Sequence, residues 1–457
     1  MVTVAVGVCA WTLALRPLGD NSFLWHLRTG HWILDHGVPR ADLYSFTAAG
    51  RPWTAQSWLA EVLYALLDDL VGPGGIRMLQ ALVGALLAML AHRLALRLVR
   101  HNGRAAFLAV AALTASLPFW SSRPLFLGLL AMAALVWIVE LPDSWAGSRP
   151  VLLVPLLMWA WANVHGGFVL GFGYLGLHLA GRWLEGHRPV RGRERRLLVA
   201  ASAGAALCLA NPYGIGLLTF PFRLALRGGA LADVEEWRSP DFGSLAGILF
   251  AVWLAVLVAA LAVARRRVRP GELVVAVPFL LLAFWAQRNI AVAVLVSLPL
   301  AARALAVPVS RDRGRLPNAL LLAVLLVLPV QVAVKELRGP HYDLGRYPVA
   351  SMRALEEHGL AGRRLLTSDR WAGYVIHAHW PRQRVFIDDR YDMYPMEVVR
   401  DHRRMMNAEA GWDAALRRWR IEVALLPRAA PLARRLGTTT DWRVIDENSQ
   451  AFIFVRR

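Results

Sequence analysis

Three apolar stretches in this chain are each about twice one membrane crossing in length, and each is interrupted at its middle by polar residues. Residues 105–140 break at Ser121-Ser122-Arg123-Pro124, residues 150–184 at Asn163-Val164-His165-Gly166-Gly167, and residues 272–309 at Gln287-Arg288-Asn289. A span takes roughly 20 apolar residues, so each stretch reads as a hairpin of two short helices. The interruptions put an Arg, a His and an Arg at the three tips. Charge near membrane depth is costly and marks function by default.

Composition agrees with a membrane protein: hydrophobic residues make up 57% of the 457 and charged residues 18%. The net charge of +19 raises nucleic acid as a partner, but no basic face is interleaved with stacking aromatics. The Arg residues sit instead in short connections between apolar runs, the pattern of cytoplasmic loops. Membrane lipid is therefore the expected partner, and nucleic acid is not. Cys9 and Cys208 lie in apolar runs and suggest neither a disulfide framework nor a metal knuckle.

Four connections are strongly basic: Arg93 to Arg104, Arg188 to Arg196, Arg265 to Arg269, and Arg303 to Arg315. Keeping all four inside requires an even number of crossings between them, which the hairpins supply. The result is about eleven membrane helices, near 2–15, 74–99, 105–120, 124–140, 150–163, 166–184, 197–210, 244–264, 272–286, 290–308 and 317–335. The first run lacks a basic n-region and a cleavage site, and reads as a membrane helix rather than a removed signal. The expected organisation is mainly α: a polytopic bundle over 1–335 with an exterior first loop, 16–73, and a soluble exterior α/β domain over 336–457. Its strands fall at Arg364–Ser368, Arg384–Asp388, Glu422–Leu426, Arg443–Ile445 and Ala451–Val455. Asn21–His36 and Thr54–Leu70 read as interfacial helices of the first loop. The N-terminus is expected on the cytoplasmic side and the C-terminal domain outside the membrane.

That topology gathers Arg123, His165, Asn211 and Arg288 at the outer face, with Asp20, Asp233, Glu235, Glu236 and Asp241. Each has two readings. Asp20 fits a helix N-cap and equally a general base whose proton affinity is raised at the bilayer surface. Arg123 and Arg288 either snorkel to the interface or grip a phosphate in bidentate fashion. His165 before two glycines is a structural turn or an anion site. Asn211-Pro212-Tyr213-Gly214 is a turn signature that also falls near the acceptor side. Glu235, Glu236 and Asp241 form a solvated loop, a metal site or an acceptor site. Asp388-Asp389-Arg390 ends an expected strand, where loop salt bridges are the commoner outcome. No Walker loop, dinucleotide fingerprint, HExxH or nucleophile elbow is present.

The run Asp20-Asn21-Ser22-Phe23-Leu24-Trp25-His26-Leu27-Arg28-Thr29-Gly30 resembles the "WHL-TG" segment of a family of large bacterial multi-pass membrane proteins. Asp42-Leu43-Tyr44-Ser45-Phe46-Thr47, Trp161 to Gly167, Asn211 to Gly214 and Trp371-Ala372-Gly373-Tyr374 echo its other segments. That family is similar in architecture to GT-C glycosyltransferases. The resemblance implies a fold of that kind, a polyprenyl-phosphate-linked sugar as partner, and an essential acid in the first exterior loop, which falls on Asp20. Many such enzymes carry a close second acid there, whereas this chain has Asn21 and Ser22, which weakens a metal site on the first loop. A divalent metal stays open as cofactor. The expected activity is glycosyl transfer at the outer face of the inner membrane. The rivals are a lipid-linked substrate flippase and a non-catalytic envelope assembly protein of the same fold.

Overall fold

The structure is a computed structural model that describes residues 1–141, 149–226, 235–264, 266–306 and 329–457. Its described residues fall into two compact units. One, the helical unit, draws on Met1–Pro17, Leu70–Arg223 and Ala232–His341; the other, the mixed unit, joins Leu18–Asp69 to Tyr342–Arg457. The first loop thus belongs to one compact body with the C-terminal residues.

In the helical unit, the helix Ile290–Ala304 is buried along nearly its whole length and forms the packing axis. Trp253, fully buried, donates from Nε1 to Ser297 Oγ on that axis at 3.0 Å, and Ser297 passes the bond to Ala293 O at 2.7 Å. Such a chain satisfies polar atoms that would otherwise be orphaned in an apolar core. The outward faces are apolar instead, with Phe107, Val110, Ile248, Val252, Val258 and Leu281 exposed. Apolar inside and apolar outside is what a helix bundle looks like when its solvent is hydrocarbon.

The polar interruptions end helices where the sequence places the hairpin tips. Arg123 is extended and Pro124 opens the helix Pro124–Glu140, since proline fits the first turn, where no intrahelical partner for its N–H is needed. Val154–Val164 stops at an extended His165, and Phe168–Leu184 starts after Gly167. Pro270–Trp285 stops at Ala286, and a single 3-10 turn, Gln287–Asn289, leads into the axis helix. Among the described residues, two helices, Pro73–Val99 and Leu245–Ala262, are long and apolar enough to cross a membrane by themselves; several other apolar helices are shorter. The expected span 317–335 is described only from residue 329, and Arg265, Arg311, Arg313, Arg315 and Asp233 lie outside the described residues.

The mixed unit holds a four-stranded sheet in the order β1-β2-β4-β3, with β1 Leu365–Thr367, β2 Val423–Pro427, β3 Trp442–Glu447 and β4 Ala451–Arg456. β1 runs parallel to β2, and the β2–β4 and β4–β3 pairs are antiparallel. Arg384–Asp388, expected as a strand, does not join this sheet. Val385 bridges Ser45 of the first loop instead, donating to Tyr44 O at 3.1 Å and accepting from Phe46 N at 3.1 Å. The helices Asn21–His36 and Trp58–Val71 form as the periodicity predicts. Asn21–His36 packs on Asp369–His379 so closely that a Cβ on Gly373 would lie 1.9 Å from Asn21 O. Only glycine fits there, which gives the Trp371-Ala372-Gly373-Tyr374 motif a steric reason.

Candidate active site

Within the helical unit, two of the three hairpin tips share one charged cluster. Arg123 donates from Nη1 to Glu236 Oε1. The charge of Arg288 is felt by Glu236, Arg123 and His165. Its guanidinium lies 4.5 Å from the ring centroid of Trp237, a cation–π contact that holds it off the surrounding apolar surface. The two turns are also bonded through their backbones: Gln287 N donates to Arg238 O at 2.9 Å, and Gln287 Nε2 to Glu235 O at 2.6 Å. Glu236 and Trp237 therefore reach the arginines because the Glu235–Trp237 turn docks on the Gln287–Asn289 turn.

His165 sits beside the start of the Arg123 helix. A Cβ on Gly128 would approach His165 Nδ1 to 3.3 Å and Trp161 Nε1 to 3.0 Å, so the glycine makes room for both rings. Gly167 N donates to His165 Nδ1 at 3.0 Å. An accepting Nδ1 leaves the ring proton on Nε2, so the neutral imidazole presents a donor there. Arg123, His165 and Arg288 thus occupy the same end of the bundle, with the Glu236 carboxylate paired to Arg123 and within electrostatic range of Arg288. Such a group has a surplus of positive charge and suits an anion with several acceptor oxygens.

The other residues singled out from sequence are engaged in local structure. Asn211 accepts from Tyr213 N at 2.7 Å and donates to Cys208 O and Gly214 O at 2.8 and 2.9 Å, which closes its turn. Asp241 accepts from Gly243 N at 2.8 Å just before the helix Leu245–Ala262. Glu236 serves as counter-ion to Arg123, and Glu235 accepts through its backbone oxygen. Among the described residues, no group of three or more His, Cys, Asp or Glu side chains is arranged to hold a metal ion.

In the mixed unit, Asp20 is the N-cap of Asn21–His36, its Oδ1 accepting from Ser22 N at 2.9 Å and Phe23 N at 3.2 Å. The turn it opens is clamped from the C-terminal side. Asp389 accepts from Asn21 Nδ2 at 3.1 Å, Ser22 Oγ at 2.5 Å and Trp25 Nε1 at 2.6 Å. Asn21 also donates to Asp369 O at 3.1 Å and accepts from Gly373 N at 2.8 Å. Beneath this lies a buried triad: Arg390 donates to Asp388 from Nε at 2.9 Å and from Nη2 at 2.6 Å, and to Asp42 from Nη2 at 2.7 Å. Trp53, Tyr44 and Trp25 face its guanidinium at 4.4, 4.9 and 5.7 Å. Asp388-Asp389-Arg390 is thus a salt-bridge motif, and its partners lie in the first loop. Sequence reading missed that pairing, for which the one-dimensional signal was only the matching acids.

Deeper still, His26 Nδ1 and Glu61 Oε1 are 2.7 Å apart, and burial pushes the Glu61 carboxyl up to about 8 from 4.5. A folded pKa above the unfolded one means that the folded state holds an extra proton between those values. The stabilisation is complete below about pH 4.5 and is lost as pH rises through about 8. At roughly 1.4 kcal/mol per pH unit, the loss reaches about 5 kcal/mol. Thermal unfolding of the wild type should show this slope between pH 5 and 8, and Glu61→Gln, which keeps the hydrogen bond but not the proton, should flatten it. An equal slope in both proteins would assign the pH dependence elsewhere.

No protein-family model matches the sequence, and no curated protein matches it. Solved structures do share its fold. The archaeal oligosaccharyltransferase AglB from Archaeoglobus fulgidus, in complex with an inhibitory peptide and a dolichol-phosphate, superposes with a TM-score of 0.58 at 12% identity, covering 93% of this chain and 69% of its own. ArnT from Cupriavidus metallidurans, bound to undecaprenyl phosphate, superposes with a TM-score of 0.53 at 14% identity, covering 99% of this chain and 96% of its own. At these identities the likeness is one of fold.

Proposed function

We propose that this chain is a membrane glycosyltransferase that moves a glycosyl group from a polyprenyl-phosphate-linked donor to an acceptor at the outer face of the bacterial inner membrane. The observation that carries the reading is the pair Arg123 and Arg288, drawn into one cluster over a single carboxylate, Glu236, in a fold shared with lipid-phosphate-bound transferases. When a glycosyl group leaves, negative charge accumulates on the lipid phosphate, and preorganised guanidiniums stabilise it there. His165 adds a neutral Nε2 donor. Asp20 takes the proton of the acceptor hydroxyl. The short helices leave room for the lipid tail, and the N-terminus lies in the cytoplasm with the C-terminal residues outside.

The reading is tested by titrating undecaprenyl phosphate into purified protein. Arg123→Lys and Arg288→Lys keep the charge but lose the planar fork, so affinity should fall. The alanine variants should lose more, about 10- to 100-fold, the range for hydrogen bonds to charged groups. Glu236→Gln releases Arg123 from its ion pair and should leave affinity intact or raise it. Unchanged affinity in both alanine variants would overturn the phosphate assignment. A collapse of affinity in Glu236→Gln would make the carboxylate a ligand in its own right.

A further inference from the structure

The helices that carry the tips also have opposite ends. Pro124–Glu140 runs from Arg123 to Glu140, Phe168–Leu184 from just after His165 to Arg182, and Ile290–Ala304 from just after Arg288 to Arg303. At about 1.5 Å per residue these ends are roughly 20–25 Å apart. Around Glu140, Arg182 and Arg303 lies a cavity of about 280 Å³, formed wholly within the helical unit. Nothing in the proposed transfer uses it.

Its lining is charged and only partly self-satisfied. Arg303 pairs with Glu140 and lies 3.6 Å from Glu272, which Arg266 also holds at 2.9 Å. Arg182 is divided between Glu185 at 3.2 Å and Glu194 at 3.0 Å. These carboxylates are therefore already committed. Arg193 also donates to Val139 O at 2.6 Å. Arg269 lines the same cavity; its backbone N–H donates to Glu272 at 3.0 Å, but its guanidinium has no carboxylate partner among the described residues. The walls hold four arginines against three glutamates, which leaves a net positive charge.

Two further polar groups open into this space. Tyr174 is 1% exposed and lines the cavity, and its hydroxyl has no hydrogen-bond partner among the described residues. His178, one turn on, lines it too, and its ring nitrogens likewise have no hydrogen-bond partner there. A phenol hydroxyl, an imidazole and an uncommitted guanidinium facing one cationic cavity make a donor-rich cradle. An acceptor-rich anion would satisfy these donors and offset the positive walls. The volume falls below the ~300 Å³ at which pockets begin to enclose drug-sized ligands, which suits one small anionic group.

We propose that this cavity is an anion site separate from the tip cluster, binding a phosphate ester through Tyr174 and Arg269. The phosphate belongs either to the headgroup of a membrane phospholipid or to a free phosphate compound. The site stands on its own geometry and does not depend on the transferase reading.

The test is a binding titration of the purified full-length protein in detergent, with dihexanoyl phosphatidylglycerol, dihexanoyl phosphatidylcholine and inorganic phosphate as separate probes. Wild type should bind phosphatidylglycerol saturably. Tyr174→Phe combined with Arg269→Gln should weaken it at least ~10-fold, as expected for losing one neutral and one charged hydrogen bond. Arg443→Gln, at an exposed arginine of the mixed unit, should leave it unchanged. Displacement of phosphatidylglycerol by inorganic phosphate would identify the phosphate group alone as the ligand; binding of the lipid without such displacement would identify the headgroup. Arg269→Gln alone, at an exposed side chain, serves where the double variant fails to fold. Equal affinity in wild type and either variant would overturn the proposal.

Discussion

Asp20→Asn should lower turnover of a polyprenyl-phosphate-linked sugar by at least ~100-fold, the lower end of what a general base contributes, with the fold unchanged. The substitution is chosen for what it keeps. Asp20 Oδ1 caps Asn21–His36 by accepting from Ser22 N and Phe23 N, and an Asn side-chain oxygen does the same almost as well. The Asn21, Ser22 and Trp25 bonds to Asp389 do not involve Asp20, so the turn itself stays clamped. What Asn cannot do is take a proton near neutral pH. A large fall in turnover with an unshifted melting temperature and unchanged undecaprenyl phosphate affinity would place the loss in the proton transfer. Turnover within a few-fold of wild type would leave Asp20 as a helix cap and nothing more.

The contrast between what was and was not legible follows from how each feature is encoded. The hairpin tips are written locally: Arg123-Pro124, His165-Gly166-Gly167 and Gln287-Arg288-Asn289 are polar or helix-breaking residues in apolar runs, and helices end at each. Asn21–His36 was legible for the same reason, since an Asp cap precedes an amphipathic repeat. Glu236 was visible only as a loop acid, because its partner Arg123 lies 113 residues away and is reached through the docking of two turns. Arg384–Asp388 has the alternation of a strand, yet its partner is the first loop and not the sheet. No periodicity reveals which surface an extended segment will meet. The cavity near Arg303 was hidden in another way: its arginines read as a basic cytoplasmic connection, and only packing shows which of them face inward.

Arg390→Met should destabilise the mixed unit by about 3–5 kcal/mol, the usual result of removing one partner from a buried charge network. Arg390 is 2% exposed, Asp388 is 0% and Asp42 5%, so loss of the guanidinium leaves two carboxylates out of water without a counter-ion. Tyr394 O–H, which donates to Asp388 Oδ2 at 2.9 Å, is too little to compensate. Lysine should fare little better, because the Nε and Nη2 bonds to Asp388 need a planar fork. Asp42→Asn should cost less than Arg390→Met, since Arg390 then keeps both bonds to Asp388. The informative protein is the triple variant Arg390→Met, Asp42→Asn, Asp388→Asn. With every formal charge removed from the triad, it should recover a good part of the stability that Arg390→Met loses. Thermal unfolding or protease resistance of the purified chain reads all four. If Arg390→Met melts with the wild type, the triad does not hold the first loop to the C-terminal residues. The aromatic contacts of Trp25, Tyr44 and Trp53 must then do so without it.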